Sequence, residues 1–299
     1  MIERLHAARR RRHGDEVRPS FSEIDAWGLT HTGKVRRDNQ DHFFQGALVR
    51  GVSAEQTSLH GPGAGSPYME RVASLAIVAD GVGGVEGGEE AARRAVDGLV
   101  TSVARSFCEA DLRESADPEV FSRLLHGAAL RVHESLLQKA EREGGVRRFA
   151  STLTLFLGLW PHAYILQVGD SRCYIFRGGR LSQISRDQTL AQDLVDNGVM
   201  SRTAAEKSRW AHVLSSAVGG EQAMPVVTRV ERNRGTVILL CSDGLTKHVP
   251  DEMIEDRLAS MSSARQVAEQ LLEDALDDGG TDNVTLVVGR TLPGQGGGE

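Results

Sequence analysis

Four short segments place aspartate beside glycine or asparagine where apolar runs give way to loops. They are Arg36-Arg37-Asp38-Asn39-Gln40-Asp41, Ala79-Asp80-Gly81-Val82-Gly83-Gly84, Ser242-Asp243-Gly244 and Thr281-Asp282-Asn283. A carboxylate at a strand end sits on the rim of a sheet and is held by a rigid element. Several converging there would repel one another unless a cation neutralised them. Hard divalent cations take oxygen ligands, and Mg2+ or Mn2+ needs only a few carboxylates plus water. Gly81 allows close backbone approach, so its carbonyl is available to a metal as well. A lone Asp-Gly is no more than a turn. The weight rests on four such segments, each beside an expected strand.

Other phosphate chemistries fail against the same sequence. Gly81, Gly83 and Gly84 follow a strand as a dinucleotide loop would, but the third glycine position holds Glu86. The single Gly-Lys, Gly33-Lys34, is not part of a nucleotide-binding loop, and no D-x-D pair supports an aspartyl-phosphate. Six positions after Cys108, Cys173 and Cys241 stand Glu114, Gly179 and Lys247, so a cysteinyl-phosphate loop with its arginine is missing.

The elements that must hold these acids alternate between two periods. Residues 73–79 form a short apolar run that reads as a buried strand entering a tight loop. Ala92, Val96, Leu99, Val100 and Val103 predict a helix over 89–107, and Val120, Leu124, Ala128, Val132 and Leu136 a second. Residues 151–159, 162–168 and 172–176 read as a meander of antiparallel strands. A short helix over 188–197 ends at Gly198, a strand at 236–241 leads to Asp243, helices follow at 253–258 and 264–276, and 284–288 is a last strand. This order predicts an α+β layered fold.

Composition sets the bounds. The chain has 299 residues, 40% hydrophobic and 25% charged, with a net charge of -6, which offers no basic field for nucleic acid. Three widely spaced cysteines give neither a disulfide framework nor a zinc pattern and are expected to be buried. No apolar run is long enough for a membrane span. The charged N-terminus lacks a following apolar stretch, so no secretory signal is read and a cytoplasmic location is expected.

With the motifs assembled, the sequence resembles the metal-dependent protein phosphatases of type 2C, in their compact bacterial form, over residues 27–291. The resemblance rests on Gly33-Lys34-Val35-Arg36 leading to Asn39-Gln40-Asp41, Val78 to Gly84, Ser151-Thr152, Val168-Gly169-Asp170-Ser171-Arg172, Leu239 to Leu245 and Gly280 to Thr285, all collinear. It implies a central antiparallel β-sandwich flanked by helices on both faces. It also implies that Asp41, Asp80, Asp243 and Asp282 ligate two divalent ions, Mn2+ or Mg2+. Asp80 would bridge them, and the Gly81 carbonyl would be a further ligand. Arg36 would hold the substrate phosphate. The implied activity is serine/threonine protein phosphatase, in which a water activated by two metals attacks phosphorus without a phosphoenzyme. Phosphoproteins made by a serine/threonine kinase would be its substrates, and a monomer is expected.

The expected organisation is a flexible basic arm at 1–20, a catalytic domain at 21–292 with a flap at 199–223, and a flexible Gly-rich tail at 293–299. The arm carries Arg9 to Arg12 and reads as a disordered segment or a dock for an acidic partner. Three positions depart from the family. Gln40 replaces a common glutamate, Val82 stands where animal members have a histidine, and Arg147 stands where relatives often carry an aspartate for a third, weaker metal. Asp187 is a candidate replacement for that aspartate. Asp170 is expected to pin a turn and pair with Arg172, and His31 and His42 to be ordinary histidines. A phosphatase of small phosphoesters and a non-catalytic phosphoprotein-binding relative are the alternatives.

Overall fold

The computed structural model describes residues 18–51, 69–82, 87–109, 118–144 and 149–292. Most of the basic arm, Gly83, Gly84, Arg147 and the tail from 293 lie outside the described residues.

After a 3-10 turn at Phe21–Glu23, the strands are β1 Ile24–His31, β2 Asp41–Gly51, β3 Met69–Val82, β4 Ala150–Ser151, β5 Leu153–Leu159 and β6 His162–Val168. They continue with β7 Arg172–Arg177, β8 Arg180–Gln183, β9 Val226–Glu231, β10 Val237–Cys241 and β11 Val284–Thr291. The helices are α1 Gly88–Glu109, α2 Pro118–Arg142, α3 Leu190–Asp196, α4 Arg202–Glu206, α5 Asp243–Thr246, α6 Asp251–Ala259 and α7 Ala264–Asp277. One sheet runs β1-β11-β10-β7-β8. The other runs β2-β3-β5-β6-β9, with β4 attached to β3. Every described pairing is antiparallel.

Alternation along the central strands builds four layers. On β3, Leu75, Ile77 and Ala79 join Leu99, Leu125 and other residues of α1 and α2 in one buried cluster. Ala76 and Val78 point the other way and meet Ile175, Ile238 and Leu240 of the second sheet. On β10, Val237, Leu239 and Cys241 face Ile254 and Leu271 of α6 and α7. Helix, sheet, sheet and helix therefore stack as a sandwich with helices on both faces, as expected. Strands buried on both faces read as near-continuous apolar runs, which is why 73–79 and 236–241, polar only at Ser74 and Thr236, stand out in the sequence.

Two expectations need correction. Residues 151–176 are not one meander: β5 pairs with β6, but β7 crosses to the other sheet and pairs with β10. Gly169, at a φ of 100°, turns the chain between them. Of the three cysteines, Cys173 and Cys241 are buried but Cys108 is exposed. The segment 199–223 contains α4, capped by the Ser201 hydroxyl, and is pinned by bridges from Val218 to Ser151 and from Leu214 to Thr189. Among the described residues no helix is long and apolar enough to cross a membrane.

Candidate metal centre

The four aspartates meet at one end of the sandwich because the register puts them there. Asp41 opens β2 and lies directly opposite Asp80 near the end of β3. Like charges facing each other across a pair are unfavourable unless something neutralises them. Asp243 follows β10, and Asp282 precedes β11, the partner of β10. Each sheet thus delivers two acids to the same rim. Asp80, Asp243 and Asp282 line a cavity with Arg36, Gly81, Asp170 and Lys247, whose volume for water-sized centres is about 660 Å³.

Neutral donors fix the acids in place. The Ser242 hydroxyl donates to Asp41 Oδ2 at 2.7 Å and accepts from the Thr285 amide at 3.0 Å. The Asp80 amide donates to Thr152 Oγ1 at 2.9 Å, and the Thr152 amide returns a bond to the Asp80 carbonyl at 2.9 Å. Asn283 ties the loops together. Its Oδ1 accepts from the Gln40 amide at 2.9 Å, and its Nδ2 donates to the carbonyls of Thr32 and Asp38. Gly81 has no space for a side chain: a Cβ would lie 2.3 Å from the Gly88 carbonyl oxygen. Only glycine fits where the chain at 81 packs against the backbone of Gly88 and Gln40.

Charge at this rim is under tension. Burial holds the Asp80 carboxyl well above its ordinary range, and Asp41 and Asp243 push it further. Burial lifts Asp41 to about 6. Burial, with Asp243 next, lifts Asp170 to about 8. Asp282 goes the other way: burial opposes its ionisation, but Lys247 and Arg36 outweigh it and hold the carboxyl below the usual value.

The donor set suits hard divalent ions. Every candidate ligand is an oxygen, and Oδ1 of Asp41 and Oδ1 of Asp243 are buried with no hydrogen-bond partner among the described residues. No three acids or histidines close round one point among the described residues. Two cations occupy the acid oxygens. Lys247 Nζ is 2.6 Å from Asp243 Oδ2 and 2.7 Å from Asp282 Oδ2. Arg36 grips Asp282 with Nε at 2.8 Å and Nη2 at 2.9 Å.

Sequence reasoning missed Lys247 as a site residue. Its one signal is its place four residues after Asp243, a helical spacing that lets the two side chains meet. Its ammonium sits on the oxygens that a divalent ion would need. Lys247→Met should therefore tighten Mn2+ binding by about tenfold or more, because a like charge beside the ions is removed. Titration calorimetry checks this, and unchanged or weaker binding would discard the competition.

The structure revises two further acids. Arg172 pairs with Asp187, not Asp170, through Nη2 to Oδ2 at 2.7 Å and Nε to Oδ1 at 2.9 Å. Asp187 is thereby engaged and is a poor substitute for the aspartate missing at Arg147. Asp170, 8% exposed, lines the cavity instead of pinning Arg172. His31 is ordinary, its Nδ1 accepting from the Gly33 amide at 2.9 Å. His42 has its Nε2 buried without a partner among the described residues, and burial lowers its pKa.

Comparison with known proteins gives the family. The family model described as protein phosphatase 2C matches residues 68–279. The serine/threonine protein phosphatase PstP of Mycobacterium tuberculosis is 35% identical over 219 residues, which cover 72% of this chain. The match spans only 40% of that relative's own length. The serine/threonine phosphatase stp of Listeria welshimeri is 32% identical over 226 residues, 74% of this chain and 86% of the relative. A crystal structure of the PstP catalytic domain in complex with 2 manganese ions superposes with a TM-score of 0.69 at 27% identity, covering 90% of this chain and 98% of that one. With two acids from each sheet on one rim, and a family match across most of the described residues, the chain belongs to the protein phosphatase 2C family.

Proposed function

We propose that this chain is a protein serine/threonine phosphatase that hydrolyses phosphoserine and phosphothreonine with two divalent ions, Mn2+ or Mg2+, and no phosphoenzyme. The observation that carries this reading is the convergence of Asp41, Asp80, Asp243 and Asp282 at one open rim, with two buried acid oxygens lacking partners among the described residues. When bound there, two such ions supply a deprotonated water near neutral pH and offset the charge of the phosphoryl group.

The chain's own residues do the rest. Asp80 faces Asp41 across the strand pair, and with Asp243 and Asp282 the two carboxylates would hold the ions. Ser242 and Thr152 hold the acids' backbone and oxygens in position. Arg36 is half exposed at the cavity mouth, so its guanidinium can exchange Asp282 for a substrate phosphate. A thiol nucleophile is disfavoured, because burial pushes Cys241 up to about 12 and raises Cys173 as well. His212 and Leu214 line the cavity, which supports reading 199–223 as a flap beside the site.

Arg36→Ala is expected to raise KM for phosphopeptides about tenfold or more while leaving the fold intact, since a forked charge-assisted contact is lost. Steady-state kinetics with a thermal melt measures both. Unchanged KM and kcat would move the phosphate anchor elsewhere, with Arg37 the neighbour to test.

One observation favours a second reading. Arg36 and Lys247 already satisfy Asp282, an arrangement that a non-catalytic phosphoprotein-binding relative could keep. Phosphate release from a phosphothreonine peptide and from small phosphoesters, both with Mn2+, separates the readings. Preferred release from the peptide supports the proposal. Preferred hydrolysis of small esters makes the chain a metabolite phosphatase, and no release despite measured Mn2+ binding makes it a binding module.

A further inference from the structure

The pole of the sandwich far from the aspartates holds two arginines without an acid among the described residues. Arg71 and Asp80 sit near opposite ends of β3, about 30 Å apart at strand rise. Arg232 follows β9 and is 6% exposed. Its Nη2 donates to Thr291 Oγ1 at 2.9 Å, and its guanidinium lies 5.1 Å from the Phe156 ring centroid and 5.8 Å from that of Trp160. Its Nε is buried with no partner among the described residues. Arg71 repeats the pattern: Nη1 donates to Ser74 Oγ at 3.0 Å, while Nε is buried and unpartnered among the described residues.

Both guanidiniums line the same space between the sheets, bounded by Ile24, Ser74 and Phe156. That space offers water-sized centres about 40 Å³. One water needs ~10–15 Å³, so there is room for an ion of a few atoms. The sequence clears this place for a guanidinium, since a Cβ on Gly158 would lie 2.3 Å from Arg232 Nη1. Burial, and then Arg71, lowers Arg232 to about 10, and no carboxylate among the described residues offsets it. A buried cation carries a heavy desolvation cost, and a second like charge beside it adds to that cost. A guanidinium whose Nε–H is buried without an acceptor offers one arm of the fork that recognises an oxyanion.

We infer that Arg71 and Arg232 form a binding site for a small tetrahedral oxyanion of the phosphate class, separate from the metal centre. The anion bridges the start of β3 to the end of β9 and so links two strands of one sheet. It neutralises both guanidiniums and stabilises this end of the sandwich by preferential binding to the folded chain.

The test is thermal unfolding of the full chain against inorganic phosphate at constant ionic strength, in wild type, Arg36→Ala, Arg71→Met and Arg232→Met. Wild type and Arg36→Ala should both gain Tm with phosphate: the part that Arg36→Ala loses reports phosphate at the aspartate rim, and the part that remains reports the pole of Arg71 and Arg232. Arg232→Met should lose that second part, and Arg71→Met should need about tenfold or more phosphate for the same rise, one fork having gone. General salt stabilisation raises every variant alike. A phosphate response that is equal in all four proteins therefore overturns the site. If Arg232→Met does not fold, Arg71→Met decides alone. If phosphate leaves wild type unmoved while Arg71→Met lowers its Tm, the counter-ion is a carboxylate of this chain and the proposal is wrong.

Discussion

Asp80→Asn should lower kcat on phosphopeptides by about a thousandfold or more while leaving the protein folded, and Asp243→Asn should do the same. Asp80 lies opposite Asp41 on the paired strand and close enough to Asp243 and Asp282 to feel both. An amide in its place keeps the shape but removes one of the charges that attract divalent ions. The fold should not suffer, because burial and four neighbouring acids already disfavour the ionised carboxylate. The Asp80 backbone remains held by Thr152 in either variant. Steady-state kinetics at saturating Mn2+ gives kcat, and a melt without metal gives stability. A variant keeping more than about a tenth of wild-type kcat would remove Asp80 from the reacting centre.

The acids are legible because each stands where a buried strand stops. The stretches 75–79 and 237–241 within the expected strands are apolar without a break, since both faces of β3 and β10 are covered. A charged residue ending such a run is visible against it. The strands that complete the sheets are not legible. β1, β2 and β9 are largely half-buried or exposed, so their patterns carry polar residues and no strict alternation. Nothing local tells β7 to cross sheets, because strand pairing depends on contacts far apart in the chain. The sandwich itself comes from family resemblance. Asp170 reads as a turn acid because Arg172 stands two residues on. The structure gives that arginine to Asp187, which the loop after β8 brings alongside. Lys247 escapes notice because its partner Asp282 lies 35 residues away.

Stripping divalent metal is expected to abolish turnover and to make stability fall as pH rises. Three buried acids set the sign. Burial raises Asp41 to about 6 and, with Asp243 next, Asp170 to about 8, and it holds Asp80 well above its ordinary value. An acid with a raised folded pKa stabilises the fold in its neutral form. That contribution is complete below the ordinary carboxylate pKa near ~4 and is lost as pH climbs through about 6 to about 8. Asp282 does not offset this. Burial opposes its ionisation but Lys247 and Arg36 prevail, so its contribution is lost only at more acid pH. A tenfold change in an acid's ionisation constant between the folded and unfolded chain is worth about 1.4 kcal/mol. A chain of this size moves ~2–4 °C per kcal/mol, so chelated protein should lose ~5 °C or more between about pH 4.5 and 8.5. Divalent ions bind the ionised acids, so their affinity grows across the same window and should flatten or reverse the slope. Calorimetry with chelator and with Mn2+, alongside phosphopeptide turnover, reads both effects. Activity that survives exhaustive chelation would sink the two-metal reading. A chelated protein whose Tm climbs through that window would instead show that the three acids are not held neutral by burial.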